Sequence, residues 1–567
     1  MKANDSIDLK PLGLPESRKR WPMPILIAGV ALLTRLCWLV TQRQPIDNEG
    51  ADYARVADNL LSGNGYVDIR GVVRPGFPPL YSLLIAAVTP LTHNSELAGR
   101  IVSLLMGAAL VVPVFLIARR IYGERPALFA ALLVAFHPFL TSLSASVLTE
   151  AAYLLLVISG VYYTCEVYFG QRISGSAGWR PALGAGACFG MAYLARAEAL
   201  VFALASIAAL AAAGLFRKGA ARAAVACLGL LLPVMLFMTP YVALTWVHTG
   251  HLRIEGKTGG NYELGERINS GMTFTQAESG IAGLSGSKPA AASPAPTVAQ
   301  LGAYALRAAK RQARTLVHLL PTPMFGSVLV LTLVVLGLFR SAWSRARLGA
   351  ELYFLLLLCA AFVPLLTIQW FWERFAAPFV PFLIIWAGNG CAELYAWLAD
   401  TARLLRRKPP SFNRFAAAAV LVFAALLAFA GLNNLRAAQP RAQVEKSIGL
   451  WLAQHGAAHK KVMDKGTIAS YYAGATLVDL PYADSLSAIG YIRHKKPDFV
   501  LLFGGWIPDF PFVRAWMHSG LPDEAADHVY RTGQAEDEQG LVYELHWSAG
   551  IRRSRLSAPA SGAKANR

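Results

Sequence analysis

Residues 45–66 read PIDNEGADYARVADNLLSGNGY and follow the first strongly apolar run, 24–40. Four carboxylates, Asp47, Glu49, Asp52 and Asp58, gather there with Tyr53, at the mouth of what reads as a membrane helix. Carboxylates placed where lipid meets water are costly to hold for packing alone. Near a hydroxyl, such a group can act as a general base. Other charges interrupt apolar stretches further along: Thr149-Glu150, Arg196-Ala197-Glu198, and Arg374 within Trp370-Phe371-Trp372-Glu373-Arg374-Phe375. A guanidinium can fork two hydrogen bonds to a phosphate. The plainer reading of Arg196 and Glu198 is a tight turn with a local ion pair. Glu49, Glu150 and Arg374 fall at the same level on different helices, which favours a shared polar cavity.

The elements that must position these groups are membrane helices. The chain has 567 residues, 55% hydrophobic and only 15% charged. Its apolar residues come in long runs, and a helix needs about 20 of them to cross a bilayer. Eleven spans are expected near 24–41, 97–118, 127–141, 146–168, 181–195, 197–216, 224–246, 324–340, 351–369, 375–398 and 415–433. With the N-terminus inside, the inner connections carry Arg119, Arg120 and Arg125; Arg172 and Arg180; Arg217, Lys218 and Arg222; Arg340, Arg345 and Arg347; and Arg403 to Arg414. Basic inner loops are the positive-inside pattern. Much of the +19 net charge is therefore topological, and no nucleic-acid partner is expected. The segment 42–96, the loop 247–323 and everything after about 434 then face outward. Arg18-Lys19-Arg20 precedes a long run with no small-residue cleavage site after it, which reads as an uncleaved first span. All six cysteines lie in apolar runs, so no disulfide framework or thiolate zinc site is expected.

The outward segments have distinct characters. In 42–96, Arg74-Pro75-Gly76-Phe77-Pro78-Pro79 fixes a turn, and 80–91 is too short to span, so it is expected to lie at the interface or re-enter. The loop 247–323 thins into an Ala/Ser/Pro stretch at 285–297, then resumes as a helix from Val298. That helix places Arg307, Lys310, Arg311 and Arg314 on one face, either as a solvated or lipid-headgroup face or as a dock for a phosphate-bearing substrate. The remainder is expected to form a small α/β domain over 434–547. Its strands are read at 462–464, 498–503, 529–531 and 541–547, with a helix near 485–494 and a disordered basic tail at 548–567. The catalytic membrane part is then 1–433.

Two further motifs resemble ligand sites. Gly250 to Thr258 resembles a nucleotide-binding P-loop, but the spacing is wrong by one residue and no strand precedes it. His248 and His251, with Glu255 beyond, offer a divalent-metal site; interfacial polar anchors are the plainer reading, and the metal requirement stays open.

Taken together, the chain resembles the GT-C glycosyltransferases, in particular the group of the protein O-mannosyltransferases and the lipid A aminoarabinose transferase. The resemblance rests on a carboxylate four residues before Tyr53, the helix after it, Gly63-Asn64-Gly65-Tyr66 and the Pro-rich segment ending Leu80-Tyr81. Thr149-Glu150, 194–200, Arg374 with Pro378 and Pro381, and Tyr471-Tyr472-Ala473-Gly474 follow in order. The sequence departs from the group in carrying Glu49 where Asp is usual, Gly50 where Glu often follows, and Arg196-Ala197-Glu198 for Arg-Pro-Glu. The resemblance implies transfer of a sugar from a polyprenyl phosphate to an envelope lipid, glycan or protein, with inversion, at the outer face of a bacterial plasma membrane. It implies Glu49 or Asp47 as base, with Asp52 a third candidate. Arg196, Arg374, Lys257 and Arg74 are the implied phosphate ligands, and Tyr53, Glu150 and Glu198 cavity residues. The alternatives are a transporter or lipid flippase using the same charges, or a non-catalytic envelope scaffold.

Overall fold

The structure, a computed structural model, describes residues 22–73, 76–173, 178–216, 219–256, 258–281, 297–436, 440–523, 526–533 and 538–547. Arg74, Lys257, most of the Ala/Ser/Pro stretch and the tail 548–567 lie outside these residues. The fold is mainly α-helical with one small sheet. Among the described residues it divides into two compact units. One comprises 22–68, 73–269 and 297–436; the other gathers 69–72, 270–281 and 440–547.

The helices run in order as α1 (Pro22–Gln42), α2 (Asn48–Leu61), α3 (Leu80–Thr92), α4 (Ser95–Ala109), α5 (Val111–Tyr122), α6 (Glu124–Phe136) and α7 (Pro138–Ala145). They continue with α8 (Glu150–Ile173), α9 (Trp179–Ala195), α10 (Ala199–Phe216), α11 (Ala220–Thr249), α12 (Thr258–Asn269) and α13 (Phe274–Ile281), the last belonging to the second unit. Then come α14 (Val298–Leu319), α15 (Ser327–Phe339), α16 (Arg345–Phe362), α17 (Val380–Leu404) and α18 (Phe412–Arg436).

All eleven expected spans are helical, but their number as full crossings is lower. Eight stretches among the described residues are long and apolar enough to cross a membrane, nine if the pair α6–α7 counts as one bent span. The other two, α9 and α15, have 17 and 13 residues, short of the roughly 20 a crossing needs. Large apolar side chains such as Leu26, Leu33, Leu236 and Leu421 are exposed, as a lipid-facing surface requires. The chain is a multi-pass integral membrane protein.

The 50° break between α6 and α7 falls at His137-Pro138, where proline supplies no N–H and the ladder is interrupted. Arg35 of α1, wholly buried, fills the gap. It donates to the carbonyls of Ala31 and Val134 at 3.0 and 3.2 Å and to Ser144 Oγ at 3.2 Å. In hydrocarbon, freed backbone groups must find such partners. Elsewhere the packing is close: α15 and α17 cross at Gly337 and Gly390, where a Cβ would fall about 2 Å from the Trp386 and Leu333 carbonyl oxygens. Small residues let membrane helices approach this way.

The second unit is built on a five-stranded mixed sheet, order β2-β1-β3-β5-β4. Its strands are β1 (Lys461–Asp464), β2 (Thr476–Asp479), β3 (Phe499–Phe503), β4 (Ala526–Thr532) and β5 (Gly540–Leu545). The first three run parallel and the last two pair antiparallel. β3, buried at every residue, is the centre of a core with Trp506, Phe510 and Trp516. Four expected strands and the helix near 485–494 are present; β2 is an addition. This unit also takes in residues 69–72 of the segment 42–96: the Leu477 N–H donates to the Ile69 carbonyl at 2.9 Å, and Arg70 forks onto Asp479.

Candidate active site

The segment 42–96 is ordered from its carboxylates. Asp47 is the N-cap of α2, its Oδ1 accepting from the Gly50 N–H at 2.8 Å. The helix therefore begins at Asn48, earlier than the stretch from Tyr53 that the sequence suggests. A capping acid satisfies an orphan amide and complements the helix dipole. Arg100 braces the approach to this cap, donating to the Gln44 carbonyl at 2.6 Å and the Ala145 carbonyl at 2.9 Å while paired with Glu96.

Gly50 answers the departure from the resembling group. A Cβ there would lie 2.6 Å from the Val147 carbonyl oxygen and 3.1 Å from Val147 Cβ. The first turn of α2 thus presses directly on the backbone leading to Glu150, and a larger residue has no room. Gly50→Ala is expected to destabilise the protein by about 1–3 kcal/mol and to lower turnover by shifting Glu49. Thermal unfolding and activity of the purified variant check this; a wild-type Tm with wild-type turnover would remove the packing argument.

Five helix ends bring acids and arginines together, Arg374 lying in the first turn of a short 3-10 helix, Glu373–Phe379. Glu49, in the first turn of α2, receives two hydrogen bonds from Arg374, at 2.6 and 2.8 Å. Arg374 also lies 3.8 Å from Glu150, the first residue of α8, which is buried with a side-chain exposure of 2%. Glu150 accepts from Arg196 at 2.7 Å, and Arg196 reaches Glu198 at 3.1 Å. Arg196 caps α9 and Glu198 precedes α10, so the hairpin carries both the local ion pair and the cavity link. The chain Glu49–Arg374–Glu150–Arg196–Glu198 is continuous. Glu150 sits between the two guanidiniums and holds both.

Aromatic rings fix the guanidinium planes. Arg374 lies over Trp372 at 4.6 Å, and Arg196 over Tyr153 at 5.7 Å. Such contacts restrain arginine while leaving its hydrogen-bonding edge available. Tyr53 is buried edge-on against Phe77 and Tyr81, at 5.2 and 5.3 Å, and lies within electrostatic range of Glu49, Arg196, Glu150 and Arg374. Its ring anchors the segment: Tyr81 in turn shares a 2.7 Å hydrogen bond with Ser103. Asp52 is buried within α2.

Asp47 and Glu49 have separate situations. Burial pushes the Asp47 carboxyl up to about 6, against the pull of the Gly50 N–H and Arg374. Its charged form is therefore disfavoured by folding, a cost fully present above about pH 6 and relieved as pH falls towards 4. Asp47→Asn keeps a capping oxygen, so thermal stability at pH 7 is expected to equal or exceed wild type, with the gain gone at pH 4. Thermal unfolding at the two pH values decides it; a large loss at pH 7 would contradict the assignment. Asp47 also edges a cavity of about 170 Å³ with Trp38, Gln42, Arg100 and Asn434.

The metal reading finds no support in this geometry. Among the described residues no three His, Cys, Asp or Glu side chains converge to hold an ion. His248, at the end of α11, is hydrogen-bonded back to the Leu244 carbonyl, and His251 is exposed. Tyr153 and Arg100 are not singled out from sequence, and Trp372 is read there only as part of the Arg374 motif. The only signals were aromatics beside the motif arginines and a lone cation four residues after Glu96.

Residues 77–243, from just before α3 into α11, match the family described as Dolichyl-phosphate-mannose-protein mannosyltransferase. The match includes Glu150, Arg196 and Glu198. No curated protein matches the chain. Among solved structures, the archaeal oligosaccharyltransferase AglB from Archaeoglobus fulgidus, in complex with an inhibitory peptide and a dolichol-phosphate, superposes with a TM-score of 0.55. It is 14% identical over 93% of this chain and 75% of AglB. ArnT from Cupriavidus metallidurans bound to undecaprenyl phosphate gives 0.54, at 15% identity over 93% of this chain and 99% of ArnT. ArnT in the apo state gives 0.55 at 16% identity over the same shares. The chain therefore shares the fold of AglB and ArnT. Its similarity in sequence, over residues 77–243, is to the Dolichyl-phosphate-mannose-protein mannosyltransferase family.

Proposed function

We propose that this chain transfers a sugar from a polyprenyl-phosphate carrier to a hydroxyl of an envelope lipid, glycan or protein, inverting the anomeric carbon. The observation that carries the reading is the alternation of Glu49, Arg374, Glu150 and Arg196 across four helix ends. It supplies a base and a phosphate clamp side by side. The family match and the polyprenyl phosphates bound by AglB and ArnT support the same donor class.

In this account the donor phosphate takes the hydrogen-bonding edges of Arg374 and Arg196, and in doing so displaces Glu49 from Arg374. The acceptor oxygen attacks the anomeric carbon, and its proton passes to Glu49. The bond from that carbon to the phosphate oxygen breaks with its electron pair, and the two guanidiniums stabilise the departing phosphate. Glu150 stays in place as a positioning residue. Asp47 holds the first turn of α2 so that Glu49 faces the arginines. Lys257 and Arg74 are further phosphate ligands in this reading.

The basic inner connections support an outward site in a bacterial plasma membrane. Cysteines introduced near Asp484 and Arg406 test it: only the former is expected to be labelled from outside by a membrane-impermeant maleimide, and labelling of both from one side would overturn the orientation. Deletion of the gene is expected to remove the mass of one sugar from an envelope lipid, glycan or protein. An unchanged envelope mass profile would count against the proposed activity.

A further inference from the structure

α14 carries a second set of charges that the proposed reaction does not use. Its four cations, Arg307, Lys310, Arg311 and Arg314, border one cavity of about 320 Å³, together with Asn269 and Gln369. No acid occurs within the helix. Arg307 pairs with Glu266 at 2.8 Å, both side chains about half exposed, and Arg311 donates to the Gln369 carbonyl. Among the described residues no carboxylate pairs with Lys310 or Arg314. Four cations against one carboxylate leave three positive charges around a concavity the size of a small-ligand pocket.

Behind the cavity, α14 is tied to the segment 367–370 by hydrogen bonds. Gln312 donates to the carbonyls of Ile368 and Trp370 at 3.0 Å each, Gln369 donates to the Tyr304 carbonyl at 3.0 Å, and the Tyr304 hydroxyl donates to the Thr367 carbonyl at 3.1 Å. Gln369 is fully buried and its Oε1 accepts no hydrogen bond from the protein, leaving an acceptor suited to a ligand hydroxyl. The same helix exposes Leu301, Leu306 and Val317, the apolar complement of a helix lying at a lipid surface.

We propose that this cavity binds the phosphate of an anionic, hydroxyl-bearing headgroup on an amphiphile, at a site distinct from the donor-phosphate clamp. The chemistry is shared by a membrane phospholipid and by a phosphate on the acceptor. Gln369, which borders the cavity, stands five residues before the clamp arginine Arg374 in the chain.

The test uses the full-length protein, with phosphatidylglycerol, phosphatidylcholine and soluble glycerol 3-phosphate as probes and native mass spectrometry as the readout. Wild type is expected to retain phosphatidylglycerol over phosphatidylcholine by about tenfold or more. The double variant K310Q/R314Q is expected to lose about tenfold of that retention, while K310R/R314K keeps most of it. Binding of undecaprenyl phosphate, measured in the same preparations, should stay within about twofold of wild type in both variants, which also shows that they fold. Displacement of phosphatidylglycerol by glycerol 3-phosphate supports recognition of the phosphate group itself, and hence of a phosphate on an acceptor. Retention despite it supports a lipid-surface headgroup. Equal retention of the two lipids, or undiminished phosphatidylglycerol in K310Q/R314Q, would overturn the proposal, whether or not undecaprenyl phosphate binds.

Discussion

Glu49→Gln is expected to reduce turnover by about a hundred- to ten-thousand-fold, the contribution of a positioned base, while undecaprenyl phosphate binds more tightly than to wild type. The second half distinguishes this account from a simple loss of a catalytic group. In the resting site Arg374 gives both of its terminal nitrogens to Glu49, so an incoming phosphate must displace a carboxylate. The amide keeps the shape but removes the charge that competes. The pair is partly exposed, at 14% and 27% for the two side chains, so its replacement is worth little: a tightening of about three- to tenfold is expected. Isothermal titration or native mass spectrometry with undecaprenyl phosphate reads the affinity, and single-turnover transfer reads the chemistry. Wild-type turnover in Glu49→Gln with a dead Asp47→Asn would move the base to Asp47 and leave the class of reaction standing.

Arg374→Ala is expected to lower kcat by about a hundred- to thousand-fold, the cost of removing one preorganised donor to a developing oxyanion, and to weaken undecaprenyl phosphate binding. Arg374→Lys is expected to recover about tenfold, because lysine offers a point charge without the fork. Arg196→Ala should follow the same pattern, since Glu150 holds the two guanidiniums together. Removing either arginine leaves Glu150, at 2% exposure, with one cation fewer, so some loss of stability is also expected. Thermal unfolding separates that loss from the kinetic effect. Unchanged donor affinity and turnover in both alanine variants would exclude the arginines from the site.

Much of this site was legible because its charges are expensive. A glutamate or arginine inside an apolar run stands out without knowledge of its partner, as Glu150, Arg196, Glu198 and Arg374 do, and Glu49 stands out in the acidic cluster after the first run. Their connectivity was not legible: nothing in the sequence says that Arg374 would fork onto Glu49, from which it is separated by 325 residues. The roles of Asp47 and Glu49 were also inseparable, since a two-residue spacing reads alike whether the first acid caps a helix or faces a cavity. Gly50 looked like a departure from a motif until the Val147 carbonyl appeared beside it. Long apolar runs gave the eleven segments, yet their length could not report that Pro138 breaks one and that Arg35 seals the break. β2 was missed because four residues with one fully buried position carry too little alternation to read as a strand.

The central claim is transfer from a polyprenyl-phosphate sugar. The most direct measurement incubates the purified full-length protein with a radiolabelled polyprenyl-phosphate sugar and an envelope extract, and follows label into lipid, glycan and protein fractions. Wild type is expected to move label into one of these fractions and release polyprenyl phosphate in equal amount, with Glu49→Gln and Arg374→Ala inactive at matched protein levels. Release of no polyprenyl phosphate by wild type, or transfer at wild-type rate by both variants, would contradict the account.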